Sequence, residues 1–571
     1  MLRLTRFVLL CCLALLVACS GGEDEVVYDL ILTDGLIYDG SGNLPYRANI
    51  AIKDDKIAAI GTLGQAAARQ RISVRGHAIA PGFINMLSWA NVPLLIDGRA
   101  ESDIRQGVTL EIFGEGWSMG PWTEEMKAER LRRQGDLKYD IEWTTLGEYL
   151  EHLERRGVSV NVGSFVGATT LRIHEIGYED RKATAEELAA MQELTRQAMR
   201  DGAFGVGSSL IYAPANFADT DELVALAEAA GEYGGIYISH IRSESSELLE
   251  SVDELIEIAD RAGVPAEIYH LKASGEPNWG KLYDVFDRVR AARSRNIKIT
   301  ANMYTYPASS TGLNAAMPLW VQEGGHQAWV ERLKDPEIRA RVVAEMMTPA
   351  ADGSNRFLEP GPDKILLIGF KSEALKPLIG KTVAQVAAMR GTGLAETAID
   401  LVVEDDSRVD VVYFSMSEDN IRRKVEQDWI TFGSDAGAYS AEGVFLKSNV
   451  HPRAYGNFAR VLGKYSRDEG IIPLEQAIQR LTAQPAENVG IRNRGRIREG
   501  FYADLVVFDP DSVRDHATFE DPHRYATGII HVFVNGEHVL NDGEHTGATP
   551  GRVVRGPGWS GWAEADPGPD S

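Results

Sequence analysis

Two histidines end apolar runs of the same kind. His240 closes IYISH and His270 closes AEIYH, thirty residues further on. Each run has the length of a short buried strand, and the interval fits about one strand–helix unit. Equivalent points of consecutive units lie at one end of a parallel sheet. Two imidazoles there converge, as a metal site requires. Unrelated structural histidines are the alternative, and the matched strand ends weigh against it. Glu115 follows a strand-like run in TLEIFGEGW, with a glycine on either side that lets a metal approach the backbone closely. Asp435 follows another in ITFGSDAG, among small residues that admit a substrate; its alternative role is to cap the next helix. Lys272, and the pair His451 and Arg453 in HPR, add positive charge suited to a substrate carboxylate, or to ordinary surface ion pairs. The other histidines stand at no strand end and read as structural or surface residues.

Several chemistries are excluded or weakened. GEGWSMG lacks the GxGxxG spacing, and no phosphate-loop lysine follows it. The three cysteines, Cys11, Cys12 and Cys19, all lie at the extreme N-terminus, so the body of the chain has no disulfide, thiolate nucleophile or cysteine metal ligand. Metal ligands must come from His, Asp, Glu or a modified Lys. The net charge of −24 repels polyanions, which argues against nucleic acid as a partner.

The elements that would position these residues alternate. GVGSSLIY, IYISH, AEIYHLK and ITANMYTY are spaced by roughly thirty residues, with helix-like stretches between them. One such helix begins at the capping box Thr184–Glu187, presents Leu188, Met191, Leu194 and Met199 on one face, and stops at Gly202. Eight units make a TIM-like (β/α)8 barrel of ~250 residues, whose chemistry sits at the C-terminal strand ends. The α/β barrel is assigned to residues 81–489, with a less regular insertion at about 318–410. Residues 27–80 and 490–550 read as short alternating strands around turn pairs such as Asp34-Gly35 and Asp54-Asp55. Both termini are therefore expected to build one small β-sandwich domain. Residues 551–571, rich in Gly, Pro and Trp, read as an extended tail.

Residues 1–18 combine Arg3 and Arg6 with a short apolar run from Phe7 to Val17, the pattern of a secretory signal rather than a spanning helix. LVAC at 16–19 resembles a bacterial lipobox. That resemblance implies cleavage before Cys19, lipidation of Cys19, a tether over 19–26, and an exported, membrane-anchored lipoprotein.

Longer motifs carry a family resemblance. APGFINM, GVTLEIFGEGWSMGP, FVGATTLR, GGIYISHIRSE, EIYHLKASGEPNWGK, MYTYPASSTGL, FGSDAGAYSAEG and HPRAYGNFARVLGKY resemble the N-acyl-D-amino-acid deacylases (D-aminoacylases) of the amidohydrolase superfamily, over nearly the whole chain after the signal. The resemblance implies zinc-dependent hydrolysis of a small-molecule N-acyl-D-amino acid. It makes His240 and His270 metal ligands, Asp435 the general base, and Lys272, Tyr304 and Arg453 substrate-binding residues. Some members carry a cysteine ligand after the GVT strand; here Glu115 is its nearest replacement. Asn302 and Asn85 stand where relatives often show aspartate.

The departure is in APGFINMLSWA, where Leu87 and Trp89 replace a His-x-His pair. Two residues apart on a strand, they are expected to face the same side. Neither binds zinc, so one zinc per chain is expected, held by Glu115, His240 and His270. Two further readings follow: a catalytically silent binding lipoprotein of this fold, or an amidohydrolase acting on another amide such as a dipeptide.

Overall fold

The computed structural model describes residues 26–350 and 355–562. The signal, Cys19 and the tether up to residue 25 lie outside the described residues, as does the end of the tail. No helix among the described residues is long and apolar enough to cross a membrane.

Eight short parallel strands form the centre. They are β1 (Phe83–Asn85), β2 (Val108–Phe113), β3 (Asn161–Ser164, continued by Val166–Gly167), β4 (Gly205–Ser209), β5 (Ile236–His240), β6 (Ala266–Ile268), β7 (Ile299–Met303) and β8 (Ile430–Phe432). Neighbours pair in chain order from β1 to β8. A parallel bridge between Ser88 and Ala436 links the ends of β1 and β8 and closes the barrel. Every strand residue is buried, because helices cover the outside and side chains fill the inside. The helix Ala185–Arg200 has the capping box of Thr184 and Glu187; Met191 and Met199 are buried, while Leu188 and Leu194 pack only partly.

Both chain ends meet in one nine-stranded sheet. The N-terminal set runs from Tyr28–Ile37 to Ala78–Pro81, and the C-terminal set from Leu505–Phe508 to Glu544–His545. They join where Ala78–Pro81 pairs antiparallel with Leu505–Phe508. Asp34-Gly35 proves to be a bulge inside the first strand rather than a turn. A Cβ at Gly35 would lie 2.4 Å from Ile79 Cδ1, so any larger residue there would have to displace the buried Ile79 side chain. The irregular segment between β7 and β8 carries its own three-stranded sheet (Ser309–Gly312, Ile365–Gly369, Asp410–Tyr413) and its own apolar core around Leu313, Phe357 and Leu401. The beginning of the tail packs on the barrel: Val554 donates its backbone N–H to Val162, and Arg555 donates to the Asp201 carbonyl.

Candidate active site

The strand ends converge. Glu115 lies two residues past β2, His240 ends β5, His270 lies two past β6 and Asp435 three past β8. All four are packed into the mouth of the barrel and border a cavity of about 470 Å3. Glu115 Oε1 lies 2.8 Å from both His240 Nδ1 and His270 Nε2, and the two nitrogens are 3.0 Å apart. This is the one cluster of His, Cys, Asp or Glu among the described residues with three donor atoms close enough to share an ion. One carboxylate oxygen and two imidazole nitrogens suit zinc, with room for a further ligand.

A second carboxylate lies behind the histidines. Glu244 Oε1 is 3.0 Å from His270 Nδ1, and Glu244 Oε2 is 3.6 Å from His240 Nε2, which has no hydrogen-bond partner among the described residues. Such an acceptor fixes the ring orientation and tautomer of a metal-ligating histidine. Lys272 Nζ donates to Glu244 at 2.5 Å and also lies 2.7 Å from His270 Nδ1. Its charge, with those of both histidines, outweighs burial and holds the Glu244 carboxyl well below its ordinary range. Burial opposes ionisation of Glu115 too, but His270 and His240 keep its carboxyl far below the usual value.

Two of these residues have left-handed backbone, unusual for non-glycine residues: His270 (φ 34°) and Asp435 (φ 51°). Each is fastened by an asparagine. Asn302 Oδ1 accepts the His270 backbone N–H at 2.8 Å, while its Nδ2 donates to buried Glu267 at 2.9 Å. Asn85 Oδ1 accepts from the Ser434 N–H, and Asn85 Nδ2 donates to Ser434 Oγ and Glu111, all at 2.8 Å. An amide can accept and donate at once; an ionised aspartate cannot. Lys424 Nζ adds a bond to the carbonyl of Leu271, between His270 and Lys272.

Leu87 and Trp89 do not face the same side. β1 ends at Asn85, and the chain bends before the strand alternation can carry through. Leu87 packs in an apolar cluster with Ile84, Leu110 and Tyr269, whereas Trp89 borders the cavity. The Trp89 Nε1–H reaches Glu115 Oε2 and Asp435 Oδ1, both at 3.1 Å. A single proton donor thus sits between the candidate ligand carboxylate and the candidate base.

Asp435 caps no helix; the chain continues from it as a loop. Burial raises its pKa above the ordinary value, opposed by Arg453 and reinforced by Glu115. Arg453 Nη1 lies 2.8 Å from Asp435 Oδ2, at an angle that makes no hydrogen bond, and Arg453 Nε has no partner among the described residues. The guanidinium carbon stands 4.4 Å from the centre of the Tyr304 ring, with Lys272 Nζ 5.5 Å from the same ring. A buried guanidinium with unused donors is set to receive an anion. His451 contributes no charge, contrary to the expectation from its sequence. Its Nδ1 accepts from the Arg453 N–H and its Nε2 donates to the Ala308 carbonyl, and burial with nearby Arg453 depresses its pKa well below the normal range.

Glu244, Asn85 and Asn302 are the supporting residues that strand-end reasoning does not assign. The available signal for Glu244 is an acid four residues after a strand-end histidine, in HIRSE.

A closed parallel barrel with a terminal β domain, and His and carboxylate groups gathered at its C-terminal mouth, define the class. Residues 111–540 match the Amidohydrolase family, and the chain belongs to that family. Within it, the chain is 32% identical to a D-aminoacylase of Alcaligenes xylosoxydans xylosoxydans, over 93% of this chain and 98% of that protein. A D-aminoacylase structure described by its binuclear metal centre, with one-metal activation and second-metal attenuation, superposes with a TM-score of 0.76 at 30% identity, covering 92% of this chain and 100% of that one. N-acyl-D-glutamate deacylase from Bordetella bronchiseptica, complexed with zinc and a phosphonate mimic of the tetrahedral intermediate, gives 0.77 at 29% identity, covering 93% and 100%.

Proposed function

We propose that this protein hydrolyses the N-acyl amide bond of N-acyl-D-amino acids with a single zinc ion held by Glu115, His240 and His270. The observation that carries the reading is the meeting of that donor cluster with a carboxylate on one side, Asp435, and an unsatisfied buried guanidinium, Arg453. Zinc in this position supplies Lewis-acid chemistry, polarising the acyl carbonyl and activating water. Asp435 accepts a proton from the attacking water and returns it to the leaving nitrogen, which must be protonated to depart. Trp89 Nε1 holds Asp435 Oδ1 towards Glu115 through its shared hydrogen bonds. Arg453, beside Tyr304, receives the substrate carboxylate. Lys272 keeps Glu244 ionised behind the histidines, and Glu244 orients His270.

A single zinc is favoured because Leu87 is in the core and Trp89 offers a donor rather than a lone pair. The same substitutions motivate the silent-binder reading, but the buried cluster with its supporting carboxylate speaks for catalysis. The test is to purify the chain without residues 1–19, measure zinc, and assay release of free D-amino acids. We expect about one zinc per chain and turnover that His240→Ala abolishes. Absence of turnover with zinc supplied would overturn the reading, and about two zinc per chain would overturn the single-ion part.

A further inference from the structure

A second cavity, of about 250 Å3, adjoins the first. The two share Trp89, Asn91, Trp117, Arg130, Tyr212 and Arg408 in their walls. Beyond that junction Met119, Trp122, Met126, Tyr178 and Trp329 give the chamber aromatic and sulfur-containing wall, interrupted by polar groups such as Glu129, Arg133, Asn314, Gln322 and His326. None of Lys272, Tyr304, Asp435 and Arg453 borders this chamber. Its link to the centre runs past Trp89, which bonds Glu115, and past Tyr212, whose ring lies edge-on to His240 at 5.3 Å. The chamber therefore opens from the candidate metal cluster and away from the carboxylate anchor.

The aromatic and methionine side chains beyond the junction come from three separate parts of the chain. Trp117, Met119 and Trp122 come from the loop after β2, and Met126 from the helix Glu124–Arg133 that follows. Trp329 lies on the helix Gly325–Arg332 of the segment between β7 and β8. Tyr178 closes the gap, so near to Gly325 that a Cβ there would lie 3.1 Å from its ring. The cations at the rim are partly engaged: Arg130 Nε donates to the Tyr139 hydroxyl at 2.8 Å, and Arg133 Nη1 reaches Glu129 at 3.4 Å.

We propose that this chamber is the acyl-group site, and that it selects a bulky apolar acyl group, above all an aromatic one, over acetyl. The proposal rests on the deacylase reading for its orientation. With the amino-acid carboxylate at Arg453 and the scissile carbonyl at the Glu115–His240–His270 cluster, the acyl chain has to leave on the far side, where the aromatic walls stand. Flat walls of Trp and Tyr, with methionine filling the gaps, bind an aryl group by stacking and sulfur–ring contact.

Kinetics of the zinc-loaded protein on the N-phenylacetyl, N-acetyl and N-succinyl derivatives of one D-amino acid test this. We expect kcat/KM for phenylacetyl to exceed that for acetyl by about tenfold or more. Met126→Trp fills the chamber from a surface helix and should lower kcat/KM for phenylacetyl far more than for acetyl, removing most of that advantage. Calorimetry with phenylacetate, the free acid, should show binding that Met126→Trp weakens. An acetyl preference, or an equal effect of the variant on all substrates, would overturn the proposal. Faster turnover of the succinyl compound would give the selection to Arg130 and Arg408 and overturn it as well. If no N-acyl compound is hydrolysed yet phenylacetate binds in a Met126-sensitive way, the chamber stands and the deacylase reading falls; failure of phenylacetate to bind sinks the chamber itself.

Discussion

Trp89 stands where the family's resemblance leads one to expect a histidine, and it has taken over a different task. Its indole N–H is shared by Glu115 and Asp435, two buried carboxylates that would otherwise face each other with no proton between them. Trp89→Phe keeps the ring and removes the donor. Hydrogen bonds to charged groups are worth about 1.5–3 kcal/mol, so kcat should fall by about tenfold to a hundredfold. Steady-state kinetics on the zinc-loaded variant check this, and an unchanged kcat would show that the indole only fills space. The sequence makes the absence of a ligand at position 89 legible, but not the new bond, because Glu115 and Asp435 reach Trp89 from strands β2 and β8. His451 teaches the same lesson in reverse: its residue type suggests charge, and complete burial between a backbone donor and a backbone acceptor removes it.

At the scale of elements, the barrel needs its loops held at the strand ends. β6 and β8 are only three residues long, and the chain turns left-handed at His270 and Asp435 just beyond them. Asn302 and Asn85 fasten those two turns from β7 and β1. Asn302→Asp would set a carboxylate against buried Glu267 and replace a donor by an acceptor. We expect a loss of about 1–3 kcal/mol, read as a lower denaturant midpoint with an unchanged slope; an unaltered midpoint would mean that Glu267 is protonated or finds another donor. The strands themselves are legible as apolar runs ending in polar residues, because a parallel barrel buries both faces. The fastening residues are not, since an asparagine inside an apolar run carries no sign of which neighbouring strand it serves. The Asp34-Gly35 pair, with turn chemistry but a bulge conformation, shows the same limit: local preference for left-handed backbone does not say whether the chain reverses there.

For the whole molecule, the barrel and the terminal β domain were foreseeable from strand spacing at the two ends and strand–helix alternation between them. The side chamber was not, because its walls come from segments far apart in sequence that meet only in the folded chain. At this scale too belongs the N-terminal signal. We propose that the mature chain begins at a lipidated Cys19 and is held at a membrane by that anchor, on the pattern LVAC. Cys19→Ser should move the protein from the membrane fraction to the soluble fraction, and mass spectrometry of the wild-type N-terminal peptide should find acyl chains on Cys19; an unmodified N-terminus excludes the anchor.

The strand Ala78–Pro81 has its partner at Leu505–Phe508, more than four hundred residues away in the chain. During synthesis the first strands made cannot complete their sheet until nearly the last ones have emerged. Their exposed edge must wait through the making of the entire barrel, a long interval in which it can pair with the wrong chain. Closure of the sheet is a long-range event of the kind that forms slowly, and until it happens the unpaired edge stays open to wrong pairing.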